Sequence, residues 1–538
     1  MASSIVLRVR RSIREMQAEY DAGDKQPLED LMRAWIGIKN LPPTDPQSFF
    51  VLAGYHGEPF KYRREVDELS RTNAYTYWGG YCNHGNVLFP TWHRVYVLKV
   101  EEALQSIVPG VSMPYWDETD AYAIKHGIPS ILTQPKFMLD GVLIDNPLHS
   151  FVLPKELSDD LRGDMTAYEK PLGYQTVRYP LSGLVGNAEA RAQTETHNAL
   201  YPNDADNTGL LNANIVAWMK GLSPTVIQPN PPKDGILDLF TDCLQAPNYT
   251  VFSNTTSAKE WNRTYPGMVT SLEAPHNDIH LSVGGFDAPA LGSQSGQIAG
   301  ANGDMGENNT AAMDPIFFFH HCNIDRVFWL WQKRHGQTAK LTLIDGYSGT
   351  SANDNQGPTP GVMPGAKLTL QTQLTPFEHA DGSAYISDDC IDIENQLGFT
   401  YSQGSLDEEQ AGMQLLTSSG RSGKKLDVSN IDRAMFQGSF VVKAYANVKQ
   451  PNGSMARHYL GHQSVLSRYN VVSCANCLTH MEVVAHFPLS GLVLEAAEPP
   501  QFEIEIQHRA PPPTNQTNLL SATAGLTAAH TASVRIIN

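Results

Sequence analysis

The sequence predicts a mainly α protein: a four-helix core in its first part, followed by a β-rich, sandwich-like C-terminal part. Three observations carry this. Apolar residues recur every three or four positions over 26–39, 46–56, 90–105, 273–281 and 314–334, the pattern of helices packed against helices. Past residue 345 the pattern changes to short β-branched stretches such as FVVKAYANVKQ, EVVAHFPLSGLVLEA and QFEIEIQHR, bounded by Gly, Pro and Asn. A chain of 538 residues with 41% hydrophobic content is long enough for one large core plus a second domain.

Charge and composition narrow the partners. A net charge of -17 with no long basic run disfavours nucleic acid and anionic lipid. No stretch resembles a membrane span. At the N-terminus, Arg8, Arg10 and Arg11 break up a very short apolar run, whereas a signal peptide places its charge before a longer one. Six cysteines are too sparse for a disulfide scaffold, so the expected location is the cytoplasm, where sequons such as those at Asn248 and Asn262 go unused.

Taken in order, the helix over 26–39 places Leu28, Leu31, Met32, Trp35 and Ile36 on one face and reads as structural. Asp45-Pro46 opens the next helix, in which Phe49, Leu52 and His56 share a side and which Gly57 ends. The loop YTYWGGYCNHGN carries Cys82 and His84, and Pro90 then starts a helix with His93, Val97, Val100 and Leu104 on its buried face. Residues 118–260 show few periodicities and read as surface excursions. EAPHNDIHL puts His276 and His280 four apart on one helical face. The glycine-rich stretch 282–310 is expected to be a loop of the size that forms a lid or site wall. It leads into DPIFFFHHCNIDRVFWLWQKR, where Asp314 suits a cap and Pro315 the first helical position. Phe317, His321, Ile324, Phe328 and Trp331 form the stripe of that helix, with His321 and Asp325 on its inner side. The last residues are Pro/Thr/Ala-biased.

A single buried histidine is usually a hydrogen-bonded core residue. Here four helices and one loop can bring six together: His56, His84 and His93, and His276, His280 and His321. Three imidazoles per group, without carboxylate or thiolate, suit copper or zinc. Asn277 stands where a zinc protease would place the glutamate of H-E-x-x-H, and the bridging carboxylates of two-metal hydrolases are not evident, so copper is the better fit.

These motifs, His56, Cys82-x-His84 and His93, then His276-x-x-x-His280 and DPIFFFHHCNIDR, resemble the type 3 copper proteins: tyrosinases, catechol oxidases and hemocyanins. The resemblance runs from about residue 45 to QLGFTY at 401, where Phe399 replaces the first tyrosine of a Tyr-x-Tyr signature. Residues 402–538 resemble the C-terminal shielding domain of fungal-type tyrosinases. The implied domains are 1–401, dicopper and catalytic, 402–510, a β-rich lid, and 511–538, a tail or extended arm.

The resemblance also implies two copper ions, with O2 as co-substrate. His56, His84 and His93 would bind the first ion, and His276, His280 and His321 the second. His320, Asp325 and Arg326 would stand behind the ligands, with Asp117 as a partner for Arg326. Cys82 matches the cysteine that forms a thioether with a ligand histidine, here His84; the alternative is an unmodified buried thiol. Cys474 and Cys477 suit Cu(I) loading, or else a disulfide or idle thiols, and Cys243, Cys322 and Cys390 read as core. Glu273 and Asn277 match a pair that orients the water taking the phenol proton, although Glu273 equally suits an ordinary first-turn acid. Leu281 would narrow the entrance.

The implied function is that of a tyrosinase, hydroxylating monophenols and oxidising o-diphenols to o-quinones. The C-terminal domain would hold it partly latent, through an aromatic such as Tyr459 or Phe487. The rivals are a catechol or o-aminophenol oxidase and, from another class, a hemocyanin-like O2 carrier. Tyrosine-like phenols and catechols are the expected partners, and a homo-oligomer remains open.

Overall fold

A computed structural model describes residues 7–57, 80–158, 169–183, 188–221, 234–289, 301–354, 357–359, 362–363, 365–407, 423–436, 438–467, 482–489, 493, 498–508, 526–528 and 532–538. Eight helices carry the site and its supports: α1 (Ile13–Ala22), α2 (Gln26–Asn40), α3 (Phe49–Gly57), α4 (Phe89–Ile107), α5 (Asp204–Lys220), α6 (Thr255–Thr264), α7 (Glu273–Gly284) and α8 (Ile316–Arg334). Pro27 and Pro90 sit in the first turns of α2 and α4, where a missing N–H costs nothing. On α2 the apolar face is Leu28, Leu31, Met32, Trp35 and Ile38, with Ile36 only half-buried. Trp35 stacks on Phe319 of α8, ring centroids 5.8 Å apart, and meets Phe49 of α3 edge-on at 5.5 Å.

α8 is the axis of this core. A stripe implies one buried side, but Ile316 through Gln332 are all buried, because other segments wrap it completely. Its first free N–H, on Ile316, donates to the Asp314 carboxylate, which also pairs with Arg178. Full burial obliges every charge on the helix to find a partner. The partners of Asp325 are the guanidinium groups of Arg10 and Arg94 and the Tyr401 hydroxyl, none of them an imidazole. Arg326 pairs with Asp407 rather than with Asp117, whose carboxylate instead accepts from Ser405 and Thr119. Arg10 also pairs with Glu101 at 2.8 Å and lies 3.6 Å over the Phe399 ring. Strand β1 (Arg8–Arg10) runs parallel to β2 (Phe399–Tyr401), so Phe399 serves as the platform for Arg10.

Two expectations change. Residues 118–260 are more than surface excursions, since Ile215, Trp218, Phe240, Tyr249 and Phe252 join the main core. The missed signal was asparagine: Asn203, Asn248 and Asn254 each cap a helix through a side chain that accepts first-turn N–H groups. Asn248 and Asn262 are buried, which closes both sequons in the folded chain. In 282–310, α7 continues to Gly284, and residues 301–313 pack inside as short turns; the remainder, 290–300, lies outside the described residues.

The C-terminal part is a sandwich of β3 (Lys425–Asp432), β4 (Phe440–Lys449), β5 (Met455–Val465), β6 (Glu482–Pro488), β7 (Gln501–His508), β8 (Leu526–Ala528) and β9 (Ser533–Ile537). One sheet has the order β6-β3-β9 and the other β5-β4-β7-β8. Leu426, Val428 and Phe487 from the first sheet and Val442, Leu460 and Ile506 from the second share one core. The end of the chain serves as an arm that completes a sheet, Leu426 pairing with Ile536. Among the described residues no helix is long and apolar enough to cross a membrane.

The joint between helices and sandwich is largely polar. Lys425 Nζ donates to the carbonyls of Tyr265 and Gly267 at the end of α6, at 2.8 and 2.7 Å. Asp427 accepts from Arg263 of α6 and Arg535 of β9. His462 of β5 bridges Asp234 at 2.9 Å and Asp278 of α7 at 3.1 Å. Burial opposes charge on His462, but Asp278 and Asp234 outweigh it and raise its pKa to about 10.

These buried charges have measurable effects on stability. Asp325→Ala takes the carboxylate from the buried Arg94 guanidinium and leaves Arg10 with Glu101 alone, and is expected to lower stability by about 3–5 kcal/mol in urea unfolding; an unchanged midpoint refutes this. The stabilisation from His462 is complete below its unfolded pKa of about 6.5 and fades as pH rises through about 10. The Tm gap between the parent and His462→Gln should therefore shrink from pH 7 to pH 10, and a constant gap contradicts the pairing.

Candidate metal centre

α3 delivers His56, α4 His93, α7 His276 and His280, α8 His320 and His321, and the loop before α4 His84. All seven rings are buried, at 0–1% exposure. In the first group His56 lies 5.3 Å from His84 and 5.6 Å from His93, centroid to centroid, with His84 and His93 5.1 Å apart. In the second, His276 lies 4.5 Å from His280 and 4.9 Å from His321, with His280 and His321 5.4 Å apart. The groups face each other, His93 to His321 at 4.6 Å and His84 to His276 at 5.4 Å.

The sorting is less clean than two triads. Donor atoms of His276, His280, His320 and His321 lie within 4.8 Å of one another, and so do those of His56, His93 and His321. His321 thus sits between the groups, its Nε2 3.2 Å from that of His280, and His320 stands among the second group rather than behind it. The cause is the place of α8 at the centre, where successive residues face different neighbours.

Hydrogen bonds set the tautomers. A carbonyl oxygen can only accept, so the ring nitrogen facing it must donate. His93 Nδ1 donates to Phe89 O at 2.8 Å, His280 Nδ1 to Met305 O at 2.8 Å and His56 Nδ1 to Asn308 O at 3.2 Å. His276 Nδ1 meets Asn277 Oδ1 at 2.9 Å, and His320 Nδ1 meets Glu118 Oε1 at 2.6 Å. The Nε2 atoms of His93, His276 and His320 are left buried, with no hydrogen-bond partner among the described residues. Burial pushes His93 and His320 down to about 3, and His276, His280 and His321 well below the usual imidazole range. These five rings are therefore neutral, and His93, His276 and His320 each turn an Nε2 lone pair inward. Buried lone pairs without donors are costly, and a borderline-soft cation satisfies them. The donor set fits such ions, and Nδ1 bonds to carbonyl or carboxylate oxygen are the support that metal-binding histidines need.

Around the rings, Cys82 Sγ, His84 and His56 form a third close group, and the Asn308 amide lies 3.5 Å from Cys82 Sγ. Both Glu273 oxygens hold the scaffold: Oε1 accepts Gly85 N–H beside His84, and Oε2 accepts the N–H and hydroxyl of Thr255, all at 2.8–3.0 Å. Leu281 is a core residue. Tyr459 is tied to Asp234 and His462, and Phe487 lies in the sandwich core, so neither reaches the imidazoles; Val441 of β4 and Leu466, just past β5, are the residues of the sandwich part that join the helical core. Cys474 and Cys477 fall outside the described residues. Sequence reasoning missed Glu118, which holds both His320 and Asn323, because its partners lie some 200 positions away.

Comparison with known proteins gives a concordant picture. A family model described as the common central domain of tyrosinase matches residues 46–334. A tyrosinase of Hahella sp. is 59% identical over 95% of this chain and 93% of its own. A tyrosinase of Aspergillus oryzae is 40% identical over 90% of this chain and 89% of its own. The solved structure of a tyrosinase from Burkholderia thailandensis, 60% identical, superimposes with a TM-score of 0.87, covering 98% of this chain and all of that one.

Because Glu273 anchors Gly85 and Thr255 through both oxygens, Glu273→Gln turns one acceptor into a donor facing N–H groups. A loss of about 1–3 kcal/mol is expected in thermal unfolding; unaltered stability would show that the anchor is dispensable.

Proposed function

The chain belongs to the tyrosinase family, and from that footing we propose that it holds two copper ions, with O2 as co-substrate. His56, His84 and His93 serve one ion and His276, His280 and His321 the other. The activity is that of a tyrosinase, which hydroxylates monophenols at the ortho position and oxidises o-diphenols to o-quinones. The observation that supports the two-ion reading is the convergence of buried imidazoles, those of His93, His276 and His320 each with an Nε2 that has no hydrogen-bond partner among the described residues. Copper, when bound, supplies O2 binding and electron transfer.

The remaining work belongs to the chain. A phenol in water keeps its proton up to a pH of about 10, so a base must take it. Asn277 Oδ1 is occupied by His276, which leaves the amide N–H groups to orient a water. Glu273 lies four residues away on the same face of α7, its carboxyl pushed above the ordinary range by burial, which suits it to receive that proton through the water. We read Cys82 as joined to His84 by a thioether, supported by the close group it forms with His84 and His56. The buried thiols of Cys243, Cys322 and Cys390 support a reducing compartment, the cytoplasm.

The sandwich is read as a lid. Its support is the end of β5, where Leu466 enters the helical core and Ser467 O accepts the Asn308 N–H at 3.3 Å, next to the carbonyl that holds His56. The polar joint suits a contact that can be released.

Elemental analysis of the loaded protein should give about two copper ions per chain, and about one fewer after His93→Ala or His276→Ala; one ion or fewer in the parent refutes the reading. The loaded chain should oxidise tyrosine as well as catechol, whereas catechol or 2-aminophenol turnover alone would favour the diphenol or aminophenol oxidase. Cleavage just after Asp407 keeps its bond to Arg326 and should raise the rate of monophenol oxidation; equal rates discard the lid.

A further inference from the structure

We propose that residues 305–308 form a single backbone brace that positions one imidazole at each metal site, so that the two sites are not loaded independently. The proposal rests on the two-ion reading above. Met305 O takes the Nδ1–H of His280 at 2.8 Å, and three residues on, Asn308 O takes that of His56 at 3.2 Å. Each bond fixes a tautomer and a ring rotation, and strengthens the opposite nitrogen as a donor.

The brace is stiff for reasons on both of its sides. Within it, Gly306 N–H bonds Gly303 O, Glu307 N–H bonds Asp304 O and Ala311 N–H bonds Glu307 O, at 2.9–3.0 Å. The buried Asp304 carboxylate is held by Lys170, Tyr174 and the Val177 N–H. Backbone presses on backbone at each end. A Cβ on Gly284, at the end of α7, would lie 1.7 Å from Gly306 N, and one on Gly57, at the end of α3, would lie 1.9 Å from Asn308 O. The helix bearing His280 and the helix bearing His56 therefore both close on the same four residues with no room for a methyl group. A shift that frees one carbonyl drags the other, so an error at one metal position is felt at the other.

The test is stepwise copper affinity, measured by competition with a chromophoric Cu(I) chelator, in the full chain and in Gly57→Ala and Gly284→Ala. Gly37→Ala is the control: its Cβ would meet the Ile107 side chain at 2.3 Å, far in sequence from the brace. Each brace variant should weaken both binding steps by about 10–100-fold, and change the nitrogen hyperfine pattern of Cu(II) at one equivalent. Gly37→Ala should lower Tm while keeping both affinities. If Gly57→Ala and Gly284→Ala each weaken one step and leave the other intact, the shared brace is overturned while the two-ion reading stands. A parent chain that binds fewer than two ions removes that reading first. Should the brace variants fail to fold, hydrogen exchange on the parent decides. One equivalent of copper should slow exchange at 305–308 and at the ends of both α3 and α7, and protection at one helix end alone refutes the brace.

Discussion

Seven imidazoles packed into the protein interior are an arrangement that the rest of the molecule must support. Each ring has two nitrogens that want partners, and burial removes water as the default one. For five of them, His56, His93, His276, His280 and His320, the protein satisfies Nδ1 with its own carbonyl, amide and carboxylate oxygens, from Asn308, Phe89, Asn277, Met305 and Glu118. It leaves Nε2 of His93, His276 and His320 facing inward without one among the described residues. The helix positions, the caps and the short turns of 301–313 can all be understood as means of placing those acceptors. The groups around the rings thus hold Nδ1 and leave Nε2 as the atom available to a metal.

Much of this was legible in the amino-acid order, and what escaped has a common cause. Local signals worked: the prolines that open α2 and α4, the four-residue step from His276 to His280, and the β-branched runs of the sandwich each report on neighbours along the chain. What failed was non-local. Asp325 read as a companion of His321 because both occupy one face of α8, yet its partners are Arg10, Arg94 and Tyr401, brought from both ends of the catalytic part. Glu118 and the carbonyls of Met305 and Asn308 carry no sequence mark, because a backbone oxygen belongs to every residue type. The dual position of His321 was hidden for the same reason, since it follows from what surrounds α8 on all sides.

The joint between the two parts has a chemistry of its own. Domains that never separate tend to share a hydrophobic interface. Here a lysine rests on helix-end carbonyls, an aspartate holds two arginines and a histidine lies between two carboxylates. Such contacts are strong while buried and paired, and weaken once water or a proton reaches them.

α7 serves both regions. His276 and His280 turn toward the histidine cluster, while Asp278, midway between them, turns toward His462 of the sandwich. Because successive residues of an α-helix are about 100° apart, these two directions cannot be adjusted separately. Adding or removing one residue between 276 and 280 would swing one face out of line with the other. The length of that stretch is therefore locked from two sides, and sequence drift on α7 must proceed by substitution alone.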